Sequence, residues 1–302
     1  MNETYVMEAE PNVGITVTGG WRDRSMKIGF IGTGSMGSVL IESFIRSGAL
    51  KPENIIVNNR TRTKAERLAA AHPGLTLADS NAEAAERCDL LFLCVKPLEM
   101  GAVIDNIKSI VRPEQIVVSI ASPVMLEQLE SLIVSKVAKV IPSITNSELC
   151  GATLCVYGSR MSESDMAELE RLLGFIGTPF RVAESHIRVA SDISSIGPAI
   201  LAFLIRKLID AAVEETGISH EEADRLAALM THGTGKLLAF GGFTTETLQK
   251  WVSVPGGITA AALQMLSEEL DGTFNRLIRL THLKFREDAM KVAHSLSVRS
   301  HE

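Results

Sequence analysis

Three glycines in the stretch GFIGTGSMG, Gly32, Gly34 and Gly37, stand at the spacing G-x-G-x-x-G. They follow an apolar run, KIGFIG, that reads as a strand, and they open a run over 35–46 that reads as a helix. This is the context in which such a spacing binds a dinucleotide. Gly32 permits the tight turn, Gly34 lets a pyrophosphate approach the backbone, and Gly37 lets the helix pack on the strand. The helix start adds free N–H groups and the positive end of a dipole. The phosphate-facing residues are then Ile31, Gly32, Thr33, Gly34, Ser35 and Met36. A tight turn without a ligand is the plain alternative.

The second strand ends in VNNRTRTK. An NAD site places an acid there for the ribose 2′-hydroxyl. This chain has Asn58, Asn59, Arg60 and Thr61, with Arg62 and Lys64 following. An acid would repel a 2′-phosphate, whereas Arg60 would pair with it. The expected cofactor is NADP(H) in preference to NAD(H). On the plainer reading these cations form only the solvated first turn of a helix. A further strand ends in CVKP, Cys94, Val95, Lys96 and Pro97, at the edge where cofactors lie. Lys96 either faces the cofactor or is an ordinary loop lysine. A second glycine turn occurs far downstream, in WVSVPGGITAAALQML. Its glycines expose backbone donors at a helix start, which suits an anion; a simple turn is the alternative.

The elements that would carry these residues alternate. Strands read over KIGFIG, NIIVNN, DLLFLCV, QIVVSI, KVAKVI and ATLCVYG, with helices over 35–46, 62–71 and 162–173 and further helical segments between. Continuous apolar strands imply a sheet covered on both faces, and strand–helix repetition implies a parallel, doubly wound sheet. From 182 onward the chain reads as helices. The run 198–216 is apolar on nearly all sides in its first half and predicts a buried helix. The run 221–239 carries a stripe of Ala223, Leu226, Ala227, Met230, Leu237 and Leu238, and the closing helix is anchored by Phe274, Leu277, Ile278, Leu280 and Phe285. Excess apolar surface here suggests a subunit interface. The expected organisation is an extension over 1–25 (a cloning remnant, an upstream start or a disordered tail), an α/β nucleotide domain over 26–183, an all-α domain over 184–295 and a tail over 296–302.

Composition excludes several classes. The 302 residues are 46% hydrophobic and carry a net charge of −6 with no basic block, which argues against a nucleic-acid partner. The longest apolar stretch, GPAILAFLI, is too short to span a bilayer. Four cysteines, Cys88, Cys94, Cys150 and Cys155, form no C-x-x-C pair and read as reduced thiols of a cytoplasmic protein. Seven histidines show no ligand spacing, so no metal is expected. His232, in THGTGK, reads as an ordinary helix histidine, and that segment lacks the pattern of a P-loop.

Taken together, GFIGTGSMG, NRT, VKP, GPA and VPGGIT resemble the pyrroline-5-carboxylate reductase family from 26 to about 289. Within it, IPSITN and RVASDISSIGPA are most similar to the late-competence ComER-type branch. The resemblance implies a Rossmann domain followed by a helical dimerisation domain of the 6-phosphogluconate dehydrogenase C-terminal type. It implies NAD(P)H-dependent reduction of a cyclic imine to proline. It adds Asn81 and the segment from Cys94 to Pro97 to the cofactor contacts. It assigns Pro255, Gly256 and Gly257 to the substrate carboxylate, Ser194 to the substrate pocket, and Thr259 to the ring nitrogen. Three departures accompany it. Val254 stands where the family has serine, Ser195 and Ile196 interrupt S-G-S-G-P-A, and Ser143 and Thr145 interrupt M-P-N-T-P. The expectation is a cytoplasmic imine reductase that forms a homodimer through the helical domain, or a higher oligomer. Its rival is a nucleotide-binding paralogue with another imine substrate or a regulatory role.

Overall fold

The computed structural model describes residues 26–299. The extension over 1–25 and the last residues of the expected tail lie outside the described residues; within that tail, the final helix runs through to Arg299. The chain divides into two compact units. One reaches to Ile187 and resumes from Asp288, and the other is Arg188–Glu287.

The first unit is built on an eight-stranded sheet. Its strands are β1 (Ile28–Ile31), β2 (Ile55–Asn58), β3 (Thr76–Leu77), β4 (Leu90–Leu93), β5 (Ile116–Ser119), β6 (Lys136–Ile141), β7 (Ala152–Tyr157) and β8 (Thr178–Arg181). Their order is β3-β2-β1-β4-β5-β6-β7-β8. Helices α1 (Ser35–Arg46), α2 (Arg62–Ala71), α3 (Asn81–Glu86), α4 (Met100–Ile107), α5 (Leu126–Leu132) and α6 (Glu163–Leu173) fall between them in the chain. Strands β1, β4 and β5 are buried along their whole length, as continuous apolar strands must be when both faces are covered. Helix α1 buries Leu40, Ile41 and Phe44 on one stripe. The Phe44 ring lies 6.5 Å from Phe30 and 6.1 Å from Phe92, while Phe30 and Phe92 stack at 5.0 Å. This cluster fixes the helix against the two central strands, directly below the glycine turn.

Two features differ from the expectation. The sheet is not all parallel: β7 runs antiparallel to β6, and β8 then runs parallel to β7. The connection over 142–151 holds only a short 3-10 turn, Ile144–Glu148, and a parallel return needs a longer crossover. Strands β3 and β8 were also not anticipated. The first has two residues, and the second, TPFR, is an exposed edge strand containing a proline, with no apolar pattern to read.

The second unit is helical. A short helix, α7 (Ile187–Ser191), passes through a π-helical segment, Asp192–Ile196, into α8 (Gly197–Thr216). There follow α9 (His220–Ala239), α10 (Thr245–Val252), α11 (Ile258–Glu269) and α12 (Thr273–Arg299), whose residues from Asp288 onward belong to the first unit. Gly217, at φ 75°, ends α8, and Ser219 and Thr244 cap α9 and α10. The expectation that α8 is buried does not hold within one chain. Only Ile209 of that helix is buried, while Leu201, Phe203 and Leu208 are at least half exposed. In α9 only Ala223 and Ala227 of the expected stripe are buried, with Leu226 and Met230 exposed. Leu280, an expected anchor of α12, is 66% exposed, and Phe274 is exposed as well. Periodicity identified apolar surface, but a single chain does not cover it.

Candidate cofactor and substrate sites

The ends of β1, β2 and β4 are knitted together at the carboxyl edge of the sheet. The Gly32 N–H donates to the Asn58 carbonyl at 2.8 Å, Thr33 N–H to Asn59 Oδ1 at 2.9 Å, and Cys94 N–H to the Ile31 carbonyl at 2.8 Å. Gly32 has φ 102°, and a Cβ there would lie 2.4 Å from the Cys94 carbonyl oxygen. A Cβ on Gly37 would lie 2.2 Å from the Gly32 carbonyl oxygen. Gly34 differs, with no atom within 4 Å of where its Cβ would be. Open space therefore sits over the middle glycine, and strict packing constrains the other two. Helix α1 begins there with no side-chain cap and no acid in its first turn, so its first N–H groups are free. The Thr33 hydroxyl is buried without a partner. These residues, Ile31 to Met36, fit a phosphate group.

Beyond β2 lies a pocket of about 190 Å³ whose polar lining is Asn58, Asn59, Arg60, Arg62 and Asp79. Arg60 Nη1 pairs with Glu99 Oε1 at 3.0 Å. Arg62 pairs with Asp79 at 2.7 Å and Glu66 at 3.2 Å. Asn59 Nδ2 donates to the Thr61 carbonyl at 2.9 Å. Asn81 opens α3 and donates to Asn106 Oδ1 at 3.1 Å. After β4, Lys96 is exposed and Pro97 starts a 3-10 turn, Pro97–Glu99. Burial pushes the Cys94 thiol up to about 12, so it stays protonated. The residues expected to hold the cofactor thus all belong to the first unit, on the loops after β1, β2, β3 and β4.

The expected substrate set belongs to the second unit. Gly256 has φ 73°, a conformation glycine adopts freely. The Gly257 N–H closes a turn on the Val254 carbonyl at 2.9 Å. Helix α11 then starts with no side-chain cap and no acid in its first turn. Thr259 is its second residue and is half-buried. The Val254 side chain leans over this start, with Cγ2 2.7 Å from where a Cβ on Gly257 would be. Ser194 lies in the π-helical segment, and its hydroxyl donates to the Ala190 carbonyl at 2.9 Å. Of the departing residues, Ser143 and Thr145 serve the turn after β6. Ser143 is buried, its oxygen accepts from Thr145 N–H at 3.3 Å, and its N–H donates to Asn146 Oδ1 at 2.8 Å.

Three side-chain groups escaped the reading of the sequence. Asp192, almost fully buried, accepts from Arg188 Nε and Nη2 at 3.1 and 2.9 Å and from the Thr281 hydroxyl at 2.8 Å. Lys139, in the apolar strand β6, is fully buried with Nζ 2.6 Å from Glu184 Oε1. Burial lowers its pKa while Glu184 opposes that shift. The third is Glu99, whose only signal was an acid two residues past the VKP turn. Among the described residues, no group of three His, Cys, Asp or Glu side chains could hold a metal ion, and no helix is long and apolar enough to cross a membrane.

Comparison with known proteins adds the family. Residues 27–123 match the family described as NADP oxidoreductase, coenzyme F420-dependent, and 184–288 match the one described as pyrroline-5-carboxylate reductase dimerisation. The chain is 40% identical over 267 residues to ComE operon protein 4 of Bacillus subtilis, covering 88% of this chain and 98% of that protein. It is 30% identical over 246 residues to pyrroline-5-carboxylate reductase of Methanosarcina acetivorans, covering 81% and 90%. The crystal structure of Plasmodium falciparum pyrroline carboxylate reductase with NADP bound shares the fold, with a TM-score of 0.73 at 24% identity over 89% of this chain and 98% of that one. By these likenesses the chain belongs to the pyrroline-5-carboxylate reductase family, on the branch of ComE operon protein 4.

Proposed function

We propose that the protein reduces 1-pyrroline-5-carboxylate to L-proline with NADPH. The observation that carries this reading is the start of α11, an uncapped, acid-free helix end preceded by Gly256 and Gly257, with Thr259 in its first turn. Free N–H groups and the helix dipole suit the carboxylate of an imino acid. The Thr259 hydroxyl is the group that would hydrogen-bond the ring nitrogen, and Pro255 rigidifies the turn before it. Bound NADPH supplies the hydride, and the chain's work is positioning, since a protonated imine is already electrophilic. Ile31 to Met36 would hold the pyrophosphate. Asn59, Arg60 and Thr61 would hold the 2′-phosphate, which underlies the preference for NADP(H). Asn81 and the loop from Cys94 to Pro97 would complete the cofactor contacts.

The exposed apolar faces of α8 and α9 favour a homodimer, in keeping with the match to a dimerisation family. A cytoplasmic setting accords with four cysteines that are all free thiols. A second reading rests on Val254. Its isopropyl group leans on the turn where the family carries a serine hydroxyl, which would weaken a carboxylate contact and favour another imine or a non-catalytic, NADP(H)-binding role. A Thr259→Ala variant tests the reductase reading. Turnover should fall about 100-fold with NADPH affinity unchanged; unchanged turnover would remove Thr259 from the site.

A further inference from the structure

We propose that Glu99 is a specificity-determining residue for the cofactor, acting through Arg60 to restrain the preference for a 2′-phosphorylated dinucleotide. The proposal rests on the reading of the first unit as an NADP(H) site and goes beyond it by assigning a residue from a different strand. In the sheet order, β1 lies between β2 and β4. Arg60 follows β2, the glycine turn follows β1, and Glu99 follows β4. The 3.0 Å ion pair between Arg60 and Glu99 therefore links the two flanks of the crevice, on either side of the glycine turn. A dinucleotide lying on that turn must share the edge with this pair.

The charges around the pocket give the link its consequence. Both guanidinium groups that line it already hold carboxylates, Arg60 that of Glu99 and Arg62 those of Asp79 and Glu66. Arg60 is 82% exposed and Glu99 is 35% exposed on their side chains. A pair this exposed is weak and readily exchanged for another anion. A 2′-phosphate carrying up to two charges can take Arg60 from Glu99. Doing so breaks the ion pair with Glu99, so the attraction of that pair is subtracted from what the phosphate gains at Arg60. NADH carries no 2′-phosphate, so it does not compete for Arg60 and leaves the ion pair whole. Glu99 thus lowers the affinity for NADPH and leaves that for NADH nearly untouched.

The test is a calorimetric titration of the full chain with NADPH and with NADH, needing no substrate and no turnover. Glu99→Gln should raise the ratio of NADPH to NADH affinity about three- to tenfold, the size expected for one partly screened charge. Glu99→Asp, which keeps the charge, should stay near wild type. Arg60→Ala should lower NADPH affinity about tenfold or more, and in that background Glu99→Gln should change the ratio by less than about twofold. An unchanged or lowered ratio in Glu99→Gln overturns the proposal while leaving the NADP(H) site intact. So does an effect of Glu99→Gln that persists without Arg60. A wild-type chain that binds neither dinucleotide overturns the underlying reading, and the proposal with it.

Discussion

The two units solve the same problem, burial of apolar side chains, in different ways. In the first, Phe30, Phe44 and Phe92 are fully buried and in mutual contact, and the central strands have no exposed residue. In the second, the buried cluster centres on Ile209, Ala223 and Ala227, with Ile205, Val213 and Ile218 beside it. Around it Leu208, Leu226, Leu229 and Met230 face outward. At about 25 cal/mol per Å² of apolar surface, such faces represent a large unclaimed stabilisation. A unit of this kind is completed by another surface, whereas the nucleotide unit carries its own core.

Substitutions can break this contrast, beginning with the largest effect. Phe92→Ala should destabilise the first unit by about 3–5 kcal/mol, measured by denaturant unfolding; a loss below about 1 kcal/mol would show that the aromatic cluster is not the core. Two glycines sharpen the point within that unit. Gly37→Ala forces a Cβ onto the Gly32 carbonyl and should cost about 2–3 kcal/mol of stability. Gly34→Ala meets open space at an extended φ of −75°, so it should fold normally yet bind NADPH about tenfold more weakly. Equal effects on folding would mean that the space over Gly34 is not reserved for a ligand.

In the second unit, Leu208→Asp should leave the unfolding of the nucleotide unit unchanged and weaken self-association by about 2 kcal/mol. Analytical ultracentrifugation across a concentration series reads this directly, and a monomeric wild type would end the dimer account. The smallest effect concerns Glu170 on α6. Burial pushes its pKa up, but hydrogen bonds from Arg181 and Tyr157 outweigh this and hold it below the ordinary glutamate value. A depressed carboxylate contributes stability above its unfolded pKa and loses it as pH falls through the folded one. Glu170→Gln should therefore flatten the acid limb of the stability profile by less than about 1 kcal/mol.

How much was legible follows from the same physics. Helices α1 and α2 and strand β6 fall on the residues read from the pattern, because glycine turns and apolar periodicity are local signals. Strand β8 carried no such signal, and the reversal at β7 depends on the length of a connection rather than on any strand's composition. The exposure of α8 was misread for a deeper reason, since periodicity shows that a face is apolar and not which chain covers it. The glycine turn announced a phosphate-binding geometry through residues a few positions apart. The pairing of Arg60 with Glu99, and of Asp192 with Thr281, joins residues that only the folded order of strands and helices brings together.

The measurement that tests the account most directly is steady-state oxidation of NADPH in the presence of 1-pyrroline-5-carboxylate, with proline quantified and NADPH binding titrated in parallel. The account predicts tight NADPH binding and saturable oxidation, with proline formed in proportion to NADPH consumed. Tight binding without proline would contradict it, and would assign the turn at Val254 to a different ligand or task.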